Sequence, residues 1–131
     1  MPLRDRARIG LVAAGGAAGS LARWRVGLDV DGALAILLVN VTGSLLLGYL
    51  VGRVPVRGPR SEALRLGLGT GVLGGWTTFS AYAVHAARML DAAPVAATLW
   101  AAVVALLSVG AAGVGYTVGS ITEATRGGGE G

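Results

Sequence analysis

Hydrophobic stretches long enough to cross a bilayer constrain this chain more than any other feature. A spanning helix needs roughly 20 mostly apolar residues to cross about 30 Å of hydrocarbon. Four stretches of about that length occur in the 131 residues, at about 9–28, 33–51, 66–90 and 94–118. Breakers and charges separate them: Asp29-Val30-Asp31-Gly32, then Gly52-Arg53-Val54-Pro55-Val56-Arg57-Gly58-Pro59-Arg60, then Asp91-Ala92-Ala93-Pro94. Charged residues are only 14% of the chain, against about a quarter in a soluble domain. Lipid-buried backbone must satisfy its own hydrogen bonds, so the spans are read as helices. The chain is thus expected to be one all-α membrane domain over 1–131, with a flexible tail at 119–131. The basic, then apolar, start resembles a signal peptide. Three further hydrophobic segments follow it, so it reads as the first span.

Charge sets the orientation and removes several function classes. The eleven basic residues are all Arg, and the net charge is +4. They sit mainly at segment ends, where positive charge orients a membrane protein, so nucleic acid is not the expected partner. Arg4, Arg6, Arg8, Arg53, Arg57, Arg60, Arg65 and Arg126 share one side, against Arg23, Arg25 and Arg88 on or toward the other, 8 to 3 of the 11. That bias predicts both termini in the cytoplasm, for a multi-pass chain expected in the cell (inner) membrane. With no cysteine, disulfides and thiolate metal sites are excluded. One His, no cysteine and no acid within a span make no catalytic constellation, so the chain is not expected to be an enzyme. The missing intramembrane carboxylate also weakens the alternative of a small proton-coupled cation exporter.

The intramembrane polar groups are neutral hydrogen-bonders, namely Asn40, Thr42, Ser44, Thr77, Thr78, Ser80 and Ser108, together with the cation Arg23. Donors without carboxylates suit an anion better than a cation. Asn40, Gly43 and Ser44 share one stripe of the second helix, although Asn40 taken alone equally fits a hydrogen bond to a neighbouring helix. In the third segment, Gly74-Gly75-Trp76-Thr77-Thr78 is a poor helix. Such a break is tolerated at membrane depth where protein covers it or it lines a site, and it frees carbonyls able to hold a cation such as Na⁺. Phe79 and Tyr82 lie three apart on one face, with positive ring edges; a pair at that spacing is ordinarily core. Small residues four apart (Gly15/Gly19, Ser44/Gly48, Gly67/Gly71, Gly71/Gly75, Gly115/Gly119) allow close helix packing. Spans this rich in small residues enclose little alone, which predicts a tight oligomer.

Three motifs in order resemble the CrcB/Fluc family of bacterial fluoride channels, over nearly the whole chain from Ile9 to Gly119. They are Gly15-Gly16-Ala17-Ala18-Gly19-Ser20-Leu21-Ala22-Arg23-Trp24, Leu38-Val39-Asn40-Val41-Thr42-Gly43-Ser44-Leu45-Leu46-Leu47-Gly48, and Gly74-Gly75-Trp76-Thr77-Thr78-Phe79-Ser80. The resemblance implies an antiparallel, dual-topology type dimer with two narrow fluoride pathways and a structural Na⁺ between the broken third helices. It implies Gly74 and Thr77 as backbone-carbonyl ligands of that Na⁺, with no organic cofactor. It implies Asn40, Phe79, Ser80, Tyr82 and Ser108 along the fluoride pathway, with Arg23 near its aqueous entrance. The implied function is passive, fluoride-selective export that lowers cytoplasmic fluoride. The chain departs from the well-known homodimeric members at Tyr82 (Phe there), His85 (Glu) and Ala112 (Thr in some). An 8-to-3 Arg bias of the 11 also disfavours insertion both ways. Hence the expectation of a second, homologous subunit inserted oppositely, and the alternative that this chain is the non-conducting member of such a pair.

Overall fold

The computed structural model describes residues 4–127; all its regular elements are helices, with no strand among the described residues. Helix α1 runs Asp5–Asp29, and α2 runs Gly32–Arg53. The Asp31 carboxylate accepts from the Ala33 N–H at 3.0 Å and starts α2. A third stretch begins at α3, Pro59–Leu64, continues as a π-helical segment, Arg65–Leu73, and ends in α4, Gly74–Trp76. Pro59 suits a first helical position because its missing N–H has no partner there in any case, and Ser61 Oγ accepts from the Arg57 and Gly58 N–H groups at 2.9 and 3.1 Å. This stretch therefore starts before Leu66, within what the sequence marks as a joint. After Thr77 and Thr78, α5 runs Phe79–Ala92 and α6 runs Pro94–Gly127.

Helix α6 continues well past Val118, so residues 119–127 of the expected tail are helical; residues 128–131 lie outside the described residues. An ion-paired end gives the physical reason. Glu123 on the extra turns pairs with Arg53, and with Arg57 at 2.9 Å, while Arg8 on α1 pairs with Glu62 on α3. The start of α1, the end of α2, the start of α3 and the end of α6 therefore gather at one end of the bundle.

Two helices are long and apolar enough to cross a membrane by length and composition, Gly32–Arg53 and Pro94–Thr125. The other two stretches fall short for visible reasons: α1 carries Arg6, Arg8, Arg23 and Arg25, and the third stretch is split at its threonines. The surface is inverted relative to a soluble protein. The buried apolar core is small, with Val39 at 1% and Val104 at 2% exposed, whereas Leu106 is 72% exposed and large aliphatics face outward along α1, α2, α5 and α6. An aqueous monomer rarely presents a contiguous apolar surface of that size.

Glycine sets the helix spacing. A Cβ on Gly15 or Gly19 would overlap the backbone of Gly67 or Val72, and one on Gly115 would overlap the Leu45 carbonyl. The small-residue pairs are thus consumed within the chain, α1 against the π segment and α2 against α6, so they do not themselves argue for an oligomer. Gly115→Val is expected to destabilise the protein by about 3 kcal/mol, the upper end for overpacking because backbone cannot yield. Gly110, on the same helix with nothing within 4 Å of its would-be Cβ, is the control: Gly110→Val should change the detergent unfolding midpoint far less.

Candidate functional site

The site is built around two residues that leave the helical ladder. Thr77 (φ −74°, ψ 159°) and Thr78 (φ −149°, ψ 114°) are extended. The glycines Gly74 and Gly75 stay helical; the extended backbone falls on the β-branched threonines, which favour it. Extended residues expose four backbone polar groups, and each needs a partner. The Thr77 N–H donates to the Leu73 carbonyl at 3.0 Å, and the Thr77 carbonyl accepts from Arg23 Nη1 at 2.8 Å. The Thr78 N–H donates to Asn40 Oδ1 at 2.8 Å, and the Thr78 carbonyl accepts from Asn40 Nδ2 at 3.1 Å. Two side chains from α1 and α2 thus satisfy three of the four groups. The Thr78 hydroxyl accepts from the Ala81 N–H at 3.1 Å and caps α5. Thr78 is only 7% exposed, so leaving any of these groups unpaired would be costly.

This geometry gives Asn40 a definite partner. Its amide makes a two-point contact with the N–H and carbonyl of one residue, Thr78, and so bridges the two peptide units on either side of it, as the neighbouring-helix reading allows. An amide nitrogen carries two N–H groups, so one remains.

Beside the interruption lies a groove of about 390 Å³ lined by Asn40, Ser44, Thr77, Thr78, Phe79, Tyr82 and Ser108 among apolar residues of α2 and α6. It gathers Asn40, Phe79, Tyr82 and Ser108 from the sequence-derived pathway set. Phe79 and Tyr82 have ring centroids 5.7 Å apart, tilted by 39°. Phe79 is 79% exposed, so the groove is open on that side. Two residues of the set lie elsewhere. Ser80 does not line the groove and contacts it through Thr78, hydroxyl to hydroxyl at 3.3 Å. Arg23 lines a separate cavity of about 270 Å³ with Gly27, Gly32 and Ala81, and Thr78 is common to both hollows. A larger groove of about 630 Å³ between α1 and the π segment is apolar apart from Arg60 at its edge and offers no comparable chemistry.

The departures find partners too. The Tyr82 hydroxyl donates to the Ala101 carbonyl of α6 at 3.0 Å, so it braces two helices instead of facing the groove. Its ring stacks on Trp100 at 5.6 Å, and the His85 ring lies 4.6 Å from the same indole. Ala112 lies where Gly48 packs, outside the groove. Sequence reasoning missed Trp100. An aromatic in the first turns of a span is an interfacial signature, and that signal was available. It also missed the Asn40–Thr78 pairing, 38 residues apart, for which no local pattern exists.

The two carbonyls implied for a sodium ion differ in state. The Gly74 residue is exposed, and among the described residues no backbone bond outside the helices and no side chain reaches its carbonyl. The Thr77 carbonyl already accepts from the Arg23 guanidinium. Released helix-end carbonyls are suitable donors for Na⁺, and a carbonyl has a second lone pair. The donor chemistry fits, with a guanidinium as immediate neighbour.

Comparison with known proteins bears on the whole constellation. A protein of Rhodococcus jostii (strain RHA1), named fluoride-specific ion channel FluC 1, is 46% identical over 111 residues, covering 85% of this chain and 84% of that protein. A protein of Nitrobacter hamburgensis with the same name is 39% identical over 109 residues, 76% of this chain and 85% of its own length. A fluoride-specific ion channel FluC of Caulobacter sp. (strain K31) is 43% identical over 88 residues, 62% of this chain and 69% of that protein. Residues 10–120, which hold the interruption, both of its clamping side chains and the groove, match the family described as CrcB-like protein, Camphor Resistance (CrcB). This chain belongs to that CrcB-like family.

Proposed function

We propose that this chain is a subunit of a fluoride-selective ion channel, a membrane protein that exports fluoride passively and has no enzymatic activity. The observation that carries the reading is the groove at Thr77–Thr78: amide, hydroxyl and aromatic groups with no carboxylate in its lining. Fluoride holds its water tightly, so a pathway must replace that shell with N–H and O–H donors, supplemented by positive ring edges from Phe79 and Tyr82. The N-terminus of α5, 14 residues long, opens at the same place and contributes the positive end of its dipole. A proton-coupled cation exporter finds no titratable acid in this lining.

We further read the third stretch as one interrupted span, giving four crossings with both termini cytoplasmic at the arginine-rich end. The open side of the groove, where Phe79 is 79% exposed, would be closed by an oppositely oriented homologous subunit. Carbonyls of Gly74 and Thr77 from each subunit would hold the structural Na⁺ between them, which would add positive potential near both pathways. The 8-to-3 arginine bias among the 11 favours a distinct partner over a second copy.

The test is fluoride-electrode efflux from liposomes holding this chain alone, a homologous subunit alone, or both. The expected result is fluoride efflux at least about tenfold faster from the mixed assembly, with no matching chloride leak. Chloride efflux as fast as fluoride, or no efflux from any combination, would refute the channel reading. Full activity from this chain alone would refute the two-subunit part. If the mixed assembly conducts and disabling the groove of this chain changes nothing, the chain is the non-conducting partner.

A further inference from the structure

We propose that Ser44 is the hydroxyl that meets fluoride in the groove, acting with the remaining N–H of Asn40; this rests on the channel reading above. The inference comes from asking where each donor proton in the lining already goes. Ser108 donates to the Val104 carbonyl at 2.8 Å, Thr77 to the Leu73 carbonyl at 3.0 Å, and Tyr82 to the Ala101 carbonyl at 3.0 Å. The Thr78 hydroxyl accepts from the Ala81 N–H and shares its remaining contact with Ser80. Ser44 alone among the lining hydroxyls has no hydrogen bond among the described residues, and it is half-buried.

An uncommitted proton has an energetic advantage. A committed hydroxyl must first give up its bond to a backbone carbonyl, which keeps its helical N–H partner, so the anion's gain is offset by a lost hydrogen bond. Ser44 turns its O–H toward an anion with no such loss. Position adds to this, because Ser44 lies four residues after Asn40 and therefore one turn along the same face of α2. The anion would meet an amide N–H and then a hydroxyl in line, with the rings of Phe79 and Tyr82 opposite. On this reading Ser108 lines the path without being its principal donor.

The test compares Ser44→Ala with Ser108→Ala in liposomes holding the conducting assembly. Ser44→Ala is expected to slow fluoride efflux by about tenfold or more and to raise the chloride-to-fluoride ratio. Ser108→Ala should slow efflux less than about threefold. Ser44→Ala removes an oxygen that holds no structural bond, so its elution profile and unfolding midpoint in detergent should match wild type. Equal efflux from wild type and Ser44→Ala, or a larger loss from Ser108→Ala, would overturn the proposal while leaving the channel reading intact. A wild-type assembly that conducts no fluoride would remove both.

Discussion

Asn40→Asp is expected to reduce fluoride efflux by at least about a hundredfold, for two reasons that act at different atoms. The first is backbone. The Asp carboxylate can still accept from the Thr78 N–H, which Asn40 Oδ1 holds at 2.8 Å. It cannot donate to the Thr78 carbonyl, which Asn40 Nδ2 reaches at 3.1 Å, and it places an anionic oxygen against that carbonyl instead. An unsatisfied buried acceptor costs about 1–3 kcal/mol, so the Thr77–Thr78 geometry loosens and Phe79 moves with it. The second is charge. Like unit charges roughly 5 Å apart repel by about 3 kcal/mol at the effective permittivity of a protein site, and about 1.4 kcal/mol is a tenfold change in rate. Asn40→Ala separates the two effects: it removes the clamp without adding charge and should retain more conduction than Asn40→Asp. Liposome efflux within threefold of wild type for Asn40→Asp would contradict both the clamp and the pathway.

Legibility in the sequence followed the range of each interaction. The apolar runs of α2 and α6 are local patterns, and they were readable to within a few residues except where an ion pair decided the boundary. Glu123 holds α6 helical beyond Val118 because Arg53 and Arg57 stand beside it, and partners that far apart in sequence leave no trace in a hydropathy window. The Gly-Gly-Trp-Thr-Thr stretch announces an irregularity, but propensity does not say which of its residues opens. In the structure Gly74 and Gly75 remain helical and the threonines open, since Arg23 and Asn40 supply partners for the threonine peptide units. Residue types in the groove were legible as a class. Which protons are spent and which are free was not, because every hydroxyl in a list looks alike until its acceptor is known. The arginine in the first helix shows the same limit: the family resemblance implies a place near an entrance, and its bond to the Thr77 carbonyl, 54 residues away, has no local pattern to announce it.

That contact leads to the second large effect. Arg23 and a sodium ion would draw on one oxygen, the Thr77 carbonyl, which the guanidinium already holds at 2.8 Å. Two cations sharing an oxygen repel by on the order of 2–4 kcal/mol at the effective permittivity of a protein interior, so the arginine should keep cation affinity low. Arg23→Gln removes the charge, and the expected result is a half-saturating Na⁺ concentration, read from Na⁺-dependent protection against thermal unfolding of the purified assembly, lowered by about tenfold or more. Arg23→Lys keeps the charge and should remain near wild type. Fluoride efflux should move the other way. Arg23→Gln loses a charge-assisted hydrogen bond, a class worth about 1.5–3 kcal/mol, and the interruption it held becomes mobile, so efflux falls by about tenfold even at saturating Na⁺. Tighter sodium with slower fluoride is a combination that a purely structural arginine would not produce, since simple loosening weakens both. Unchanged Na⁺ dependence in Arg23→Gln would mean that no cation uses the Thr77 carbonyl, and the sodium assignment would have to leave that oxygen.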